Sequence, residues 1–124
     1  MNKRLLLIED NEQNRYLVTY LLEARGWKVV HASDGPAGLK LAASTDPAII
    51  LLDIQLPGMD GYSVARALRE NPALLSVPII AVTSYAMTGD RDRCIAAGCS
   101  GYIEKPLDPD TFCSEVERYL GSAQ

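Results

Sequence analysis

The chain is predicted to fold as an α/β domain, with five parallel strands in one sheet and helices on both of its faces. Two observations carry this. Short uninterrupted apolar runs alternate with helix-patterned segments along the whole of the 124 residues. Those runs also lack an alternating polar face, as strands covered on both sides do.

The first strand is Leu5–Ile8. Leu17, Leu21 and Ala24 then mark one face of a helix, with Val18 and Leu22 beside them, until Gly26 stops it. Val29–Val30 is a shorter strand candidate. Ala37, Leu41 and Ala42 define the second helix, with Pro36 in its first turn, where a missing N–H does no harm. Ile49–Leu52 is the third strand and Tyr62–Leu68 the third helix. Ile79–Val82 is the fourth strand, and the helix from Asp90 to Ala97 is closed by Gly98. Tyr102–Ile103 is the fifth strand. Phe112, Val116, Tyr119 and Leu120 stripe the last helix, and the Gly121–Gln124 end is expected to fray. Each strand-helix unit takes roughly 25 residues, which leaves no room for an inserted domain, so 1–124 reads as one domain. Right-handed crossovers distribute the helices over both faces.

The composition, 48% hydrophobic and 23% charged, is that of a globular protein rather than a disordered tail. The formal net charge of -4 argues against a nucleic-acid backbone as partner and suits a local acidic site that recruits a cation. Cys94, Cys99 and Cys113 form an odd set without CxxC or metal-ligand spacing, and read as buried thiols in a reducing compartment. Four apolar residues before Glu9 are too few for a signal peptide or a membrane span, so a cytoplasmic protein without a membrane anchor is expected.

Ligands of an open parallel sheet bind beyond the carboxyl ends of its strands. The polar residues collect there. Glu9 and Asp10 follow the first strand, Asp53 the third, Thr83 and Ser84 the fourth, and Lys105-Pro106 the fifth. One crevice thus holds three carboxylates, a hydroxyl and an ammonium. Carboxylates so crowded repel one another, and a hard dication such as Mg²⁺ relieves the conflict through oxygen ligands. No His-rich or Cys-rich set competes for zinc, and the single histidine, His31, reads as structural or surface. Glu9-Asp10 alone is an ordinary loop feature. Asp53 says more, because it directly follows the buried run Ile49–Leu52 and precedes the turn-like stretch Leu56–Gly61; a cap or turn role is its bland alternative. Lys105 alone reads as a surface lysine before a turn. Beside the acids it becomes a cation placed to meet a phosphoryl oxygen.

Five segments, in order and at these spacings, carry a resemblance. They are Leu6-Leu7-Ile8-Glu9-Asp10-Asn11, Leu51-Leu52-Asp53-Ile54-Gln55-Leu56-Pro57-Gly58-Met59-Asp60-Gly61, Pro78-Ile79-Ile80-Ala81-Val82-Thr83-Ser84, Ala97-Gly98 and Tyr102-Ile103-Glu104-Lys105-Pro106. Over residues 4 to 120 the chain resembles a response-regulator receiver domain of two-component, phosphorelay signalling. The resemblance implies a doubly wound, flavodoxin-like (βα)5 fold with strand order 2-1-3-4-5. It implies that Asp53 is the phosphoacceptor, Asp10 a direct metal ligand, Glu9 the acid completing the metal pocket, and Gln55 a ligand through its backbone carbonyl. The metal is then Mg²⁺, with Mn²⁺ as substitute. Thr83 matches the hydroxyl that bonds the phosphoryl group, and Lys105 the lysine that pairs with it. Small Ser84 matches a position where bulk hinders access. Pro106 matches a proline whose preceding bond is usually cis. Tyr102 matches an aromatic that moves inward on activation, the alternative being an edge-strand aromatic packed on the last helix.

The implied donor is a phosphohistidine on a sensor histidine kinase or a histidine phosphotransfer protein. The implied output is a downstream protein bound by the face of the fourth helix, fifth strand and fifth helix, without nucleic acid or membrane. Such a domain catalyses only its own phosphorylation and dephosphorylation, and it occurs alone or within a hybrid kinase. No G-x-x-x-x-G-K-[ST] loop is present for ATP as direct donor. A haloacid-dehalogenase-type phosphatase carries a second aspartate two residues after its nucleophile, where this chain has Gln55, an amide unable to transfer protons in that way. A receiver-like interaction module working without phosphate commonly loses an acid-pocket residue or the lysine, and all of them are present here.

Overall fold

Every apolar run becomes a strand, and every periodic segment a helix. The computed structural model describes residues 2–84 and 89–121. Its elements are β1 (Arg4–Ile8), α1 (Glu12–Glu23), β2 (Lys28–Ala32), α2 (Gly35–Thr45), β3 (Ile49–Asp53), α3 (Gly61–Arg69), a 3-10 turn (Pro72–Leu74), β4 (Ile79–Thr83), α4 (Asp90–Ala96), β5 (Gly101–Glu104) and α5 (Phe112–Gly121). Of the Gly121–Gln124 end expected to fray, Gly121 is instead the last residue of α5, and Ser122–Gln124 lie outside the described residues. All strand pairs are parallel, in the order β2-β1-β3-β4-β5. This is the doubly wound arrangement expected.

The helices begin where the sequence supplies a short polar acceptor. Asn11, Asp34 and Asp60 accept the backbone N–H of Asn14, Ala37 and Ser63, three residues on. Each such cap contributes about 1 kcal/mol to a helix with orphan N–H groups at its start.

Alternation along the strands builds two apolar layers. Leu6, Ile8, Ile50, Leu52, Ile79 and Ala81 face Ala42 of α2, Val64, Ala65 and Leu68 of α3, and Cys94 of α4. Leu5, Leu7, Ile49, Leu51, Ile80 and Ile103 face Val18 and Leu22 of α1 and Phe112 and Val116 of α5. The three inner strands β1, β3 and β4 are buried almost throughout, which is why their sequences are so uniformly apolar. β2 lies at an edge, with Lys28 and His31 exposed, and its strand is longer than the Val29–Val30 run suggests.

The 3-10 turn has no apolar period of its own, and a single side chain anchors its surroundings. Arg69, at the end of α3, donates to the carbonyls of Gly98, Leu74 and Val77, each at 2.8 Å, and to Ser100 Oγ at 3.2 Å. Gly98 lies in the left-handed region at φ 109°, and a Cβ there would sit 2.6 Å from Arg69 Cγ. Glycine therefore serves both the turn and the packing of the arginine. Replacing Arg69 by Met leaves several half-buried carbonyls unsatisfied. Arg69→Met is expected to lower stability by about 3 kcal/mol, read as a lower urea midpoint at unchanged slope.

Candidate functional site

The topology opens a crevice at one place. β2 lies on one side of β1 and β3 on the other, so the connections leaving β1 and β3 run to opposite faces. Register then aligns the site. Ile8 pairs with Leu52, which makes Glu9 and Asp53 neighbours one step beyond. Asp53 pairs with Val82, and Thr83 with Glu104, so Thr83 and Lys105 lie at the next steps along the same edge.

Carboxylate oxygens of Glu9, Asp10 and Asp53 lie within 4.8 Å of one another. Glu9 and Asp53 are only 3% and 4% exposed, whereas Asp10 faces solvent. Lys105 Nζ reaches Glu9 Oε1 at 3.2 Å and Asp53 Oδ2 at 3.5 Å. Burial pushes the Glu9 carboxyl above its ordinary pKa, with the hydrogen bond and charge of Asp53 adding to the rise and Lys105 opposing it. An all-oxygen set of three acids suits a hard dication and not zinc. When bound, such an ion would neutralise the three acids and present open positions to phosphoryl oxygens.

Local backbone contacts shape this crevice. Gln55 N–H donates to Asp53 Oδ1 at 3.0 Å, and the Gln55 side chain accepts from Ser84 Oγ at 2.7 Å, joining the loops after β3 and β4. Asn11 N–H points at Glu9 Oε2. Gly61 N–H donates to Ile54 O, and a Cβ on Gly61 would lie 2.4 Å from Ile54 Cα, so the loop after Asp53 closes only over glycine. Lys105 N–H donates to Thr83 O at 2.8 Å, and the Lys105–Pro106 bond is cis. Thr83 is buried, Ser84 exposed, and Tyr102 half-buried with its hydroxyl 3.5 Å from Glu104 Oε1. All the residues expected at the site are thus gathered at this edge or on the strand beside it. His31 is exposed on β2, and the three cysteines are buried and free. Burial raises the Cys94 and Cys99 thiols to about 11 and about 12.

Two features were not legible in the sequence. Arg15, in the first turn of α1, donates to the carbonyls of Glu9 and Asp10, each at 3.0 Å, and holds the acidic loop in place. Its only signal was its position one turn after the Asn11 cap. The second is the contact between Tyr62 of α3 and Asp90 of α4, both buried, for which no local pattern exists.

With this fold and crevice, the class of protein is a phosphorelay receiver. Residues 5–117 match the family described as the response regulator receiver domain, and the chain belongs to that family. It is 40% identical over 123 residues to the polar-differentiation response regulator DivK of Brucella ovis, covering 99% of this chain and all of that protein. Among solved structures it is similar to the receiver domain of a sensor histidine kinase from Pseudomonas aeruginosa, which has a magnesium ion coordinated in its active-site cleft. That likeness is 34% identity and a TM-score of 0.89, over 98% of this chain and 99% of the other. The chemotaxis response regulator CheY4 of Vibrio cholerae is 25% identical with a TM-score of 0.91, over 96% and 99% of the two chains. A domain of this family acts on its own aspartate and is not an enzyme for a separate substrate. Among the described residues, no helix is long and apolar enough to cross a membrane.

Lys105 is the cation in contact with two almost fully buried carboxylates, Glu9 and Asp53. Removing one member of a buried ion pair exposes the other's charge to an apolar setting. Lys105→Met is expected to lower thermal stability by about 2 kcal/mol without added divalent ion, between the values for surface and buried pairs. Added Mg²⁺ should restore most of that loss in a thermal melt.

Proposed function

We propose that this chain, as a single receiver domain over residues 1–124, takes a phosphoryl group onto Asp53 from a phosphohistidine on a sensor histidine kinase or a histidine phosphotransfer protein. The observation that carries this reading is the geometry of Asp53, buried within 4.8 Å of two further acids and 3.5 Å from Lys105. An Asp53 oxygen forms the new P–O bond while the P–N bond breaks, and the electron pair stays on the imidazole nitrogen. Gln55 N–H orients the Asp53 carboxylate. Lys105 turns from Glu9 and Asp53 toward a phosphoryl oxygen, and the Thr83 hydroxyl donates to another. Glu9, Asp10, Asp53 and the Gln55 carbonyl would hold Mg²⁺, or Mn²⁺ in its place, and small exposed Ser84 leaves the approach open. Later hydrolysis of the acyl phosphate resets the domain.

Thr83 then serves as the coupling element. Its side chain is drawn toward the phosphoryl group, and Tyr102 swings from its half-exposed position into the space vacated beside β5. The face of α4, β5 and α5 thereby changes its affinity for a downstream protein. Three free, buried thiols suit a reducing compartment and support a cytoplasmic setting for this reaction.

Treatment with a small acyl phosphate and Mg²⁺ is expected to add about 80 Da, one phosphoryl group on one nucleophile. Asp53→Asn should abolish the adduct, and Asp10→Asn should reduce both the adduct and the calorimetric heat of Mn²⁺ binding. Labelling of Asp53→Asn to the wild-type extent would exclude Asp53, and unchanged Mn²⁺ affinity in Asp10→Asn would exclude the metal assignment.

The coupling is read with beryllofluoride, a stable mimic of the phosphoryl group. Wild type should show amide shifts extending from Thr83 to Tyr102, whereas Thr83→Ala should confine them to the neighbourhood of Asp53. Equal long-range shifts in both proteins would remove Thr83 from the mechanism.

A further inference from the structure

The first turn of α4 contains a carboxylate that the acidic crevice does not use. Asp90 is 7% exposed, and its Oδ1 accepts the hydroxyl of Tyr62 from α3. The Arg93 guanidinium lies over the same Tyr62 ring, 4.4 Å from its centroid. Asp90 Oδ2, by contrast, is buried and has no hydrogen-bond partner among the described residues. A buried carboxylate oxygen left unpaired is costly in one conformation and is commonly explained by its use in another.

Among the described residues, candidate donors lie in the cluster that packs on this side of the sheet. Tyr62, Cys94 and Cys99 belong to one buried cluster on the α2–α3–α4 side of the sheet, and Tyr102 packs against that cluster from β5. Tyr62 has committed its hydroxyl to Oδ1, and thiols are weak donors. Tyr102 brings a second phenol, whose hydroxyl stands 3.5 Å from Glu104 Oε1. Its phenol pKa is raised by burial first, then by Glu104 and by Asp90, so the Asp90 charge already acts on it. Ala81 pairs with Tyr102, and Thr83 with Glu104, so the Thr83 and Tyr102 side chains leave the sheet on the same face.

We propose that Asp90 is the acceptor that receives Tyr102 in the phosphorylated state, its open Oδ2 taking the Tyr102 hydroxyl while Tyr62 holds Oδ1. This inference rests on the switch reading above and names what draws Tyr102 inward. Asp90 is a positioning residue. It does not touch the phosphoryl group, but it opens α4, so a bond from Tyr102 passes the change in β5 to α4 and, through Tyr62, to α3. Phosphorylation then sets the position of the partner-binding helix and not only that of one aromatic ring.

The test follows the tyrosine ring carbons that bear the hydroxyls, labelled with ¹³C and assigned with Tyr62→Phe and Tyr102→Phe, with and without beryllofluoride and Mg²⁺. The ¹⁹F signal of bound beryllofluoride reports loading separately. In loaded wild type the Tyr62 and Tyr102 signals should both move, because one carboxylate then serves two hydroxyls. In Asp90→Ala the Tyr102 movement should be lost while the ¹⁹F signal persists. Tyr102→Phe keeps the ring and its packing, and there the Tyr62 movement should be lost. This second arm decides the matter even if Asp90→Ala does not fold. A loaded Asp90→Ala with the wild-type Tyr102 movement, or a loaded Tyr102→Phe with the wild-type Tyr62 movement, overturns the Asp90 assignment and leaves the switch standing. Loaded wild type without any Tyr102 movement overturns the switch as well. Absence of a bound ¹⁹F signal overturns the phosphoacceptor reading on which both depend.

Discussion

The approach of Glu9, Asp10 and Asp53 to within 4.8 Å is the constraint to which the rest of the structure answers. Like charges at that separation repel, and the repulsion is strongest for the two acids that are nearly buried. The sheet does not allow them to move apart, because the pairing of Ile8 with Leu52 sets Glu9 beside Asp53 and two apolar layers hold that register. Lys105 offsets part of the cost through its contacts with Glu9 and Asp53. The Glu9 pKa is nonetheless raised, by burial first and then by the hydrogen bond and charge of Asp53. A fold that keeps such a crevice forgoes stability at one edge for an acidic site whose oxygens suit a hard cation.

Lys105 is central because it has a charge role and a backbone role together. Its ammonium faces the acids of β1 and β3, and its N–H is tied to the carbonyl of Thr83 on β4. Any new anion that draws the ammonium away from Glu9 therefore acts on a residue already attached to the neighbouring strand end. This gives a physical basis for coupling between the crevice and the β4–β5 edge without a long chain of contacts. Two discrete arrangements of a few hydrogen bonds are enough, since one or two contacts present in only one state shift such an equilibrium.

The opposite end of the sheet carries no such conflict. There Arg69 satisfies the carbonyls of Leu74, Val77 and Gly98, and Trp27 is buried, with its ring N–H donated to Glu117 and Lys3 over its face. The polar groups named at that end are paired, while at the crevice end the acids are crowded and Asp90 retains an open acceptor among the described residues. Open α/β folds divide their work in this way, with packing at the amino ends of the strands and chemistry at the carboxyl ends.

Much of this was legible in the order of the residues. The uniformly apolar β1, β3 and β4 announced buried parallel strands, and a charge directly after each of the first two announced the crevice, because strand ends and periodicity are local properties. The edge strand β2 was under-read, since half-exposed residues such as Lys28 and His31 break the apolar run. Arg15 on the acidic loop left only its position one turn after the Asn11 cap, and Arg69 on three carbonyls and Tyr62 on Asp90 left no local signal at all. The last pair lies 28 residues apart and meets only because α3 and α4 pack on one face of the sheet. By itself the sequence determined which residues form strands, which form helices, and which chemical groups stand at the strand ends. Only the tertiary structure decided the separations among those groups, the burial that perturbs Glu9, and the open oxygen of Asp90. Distances between remote residues come from register and packing, which no short stretch of chain encodes.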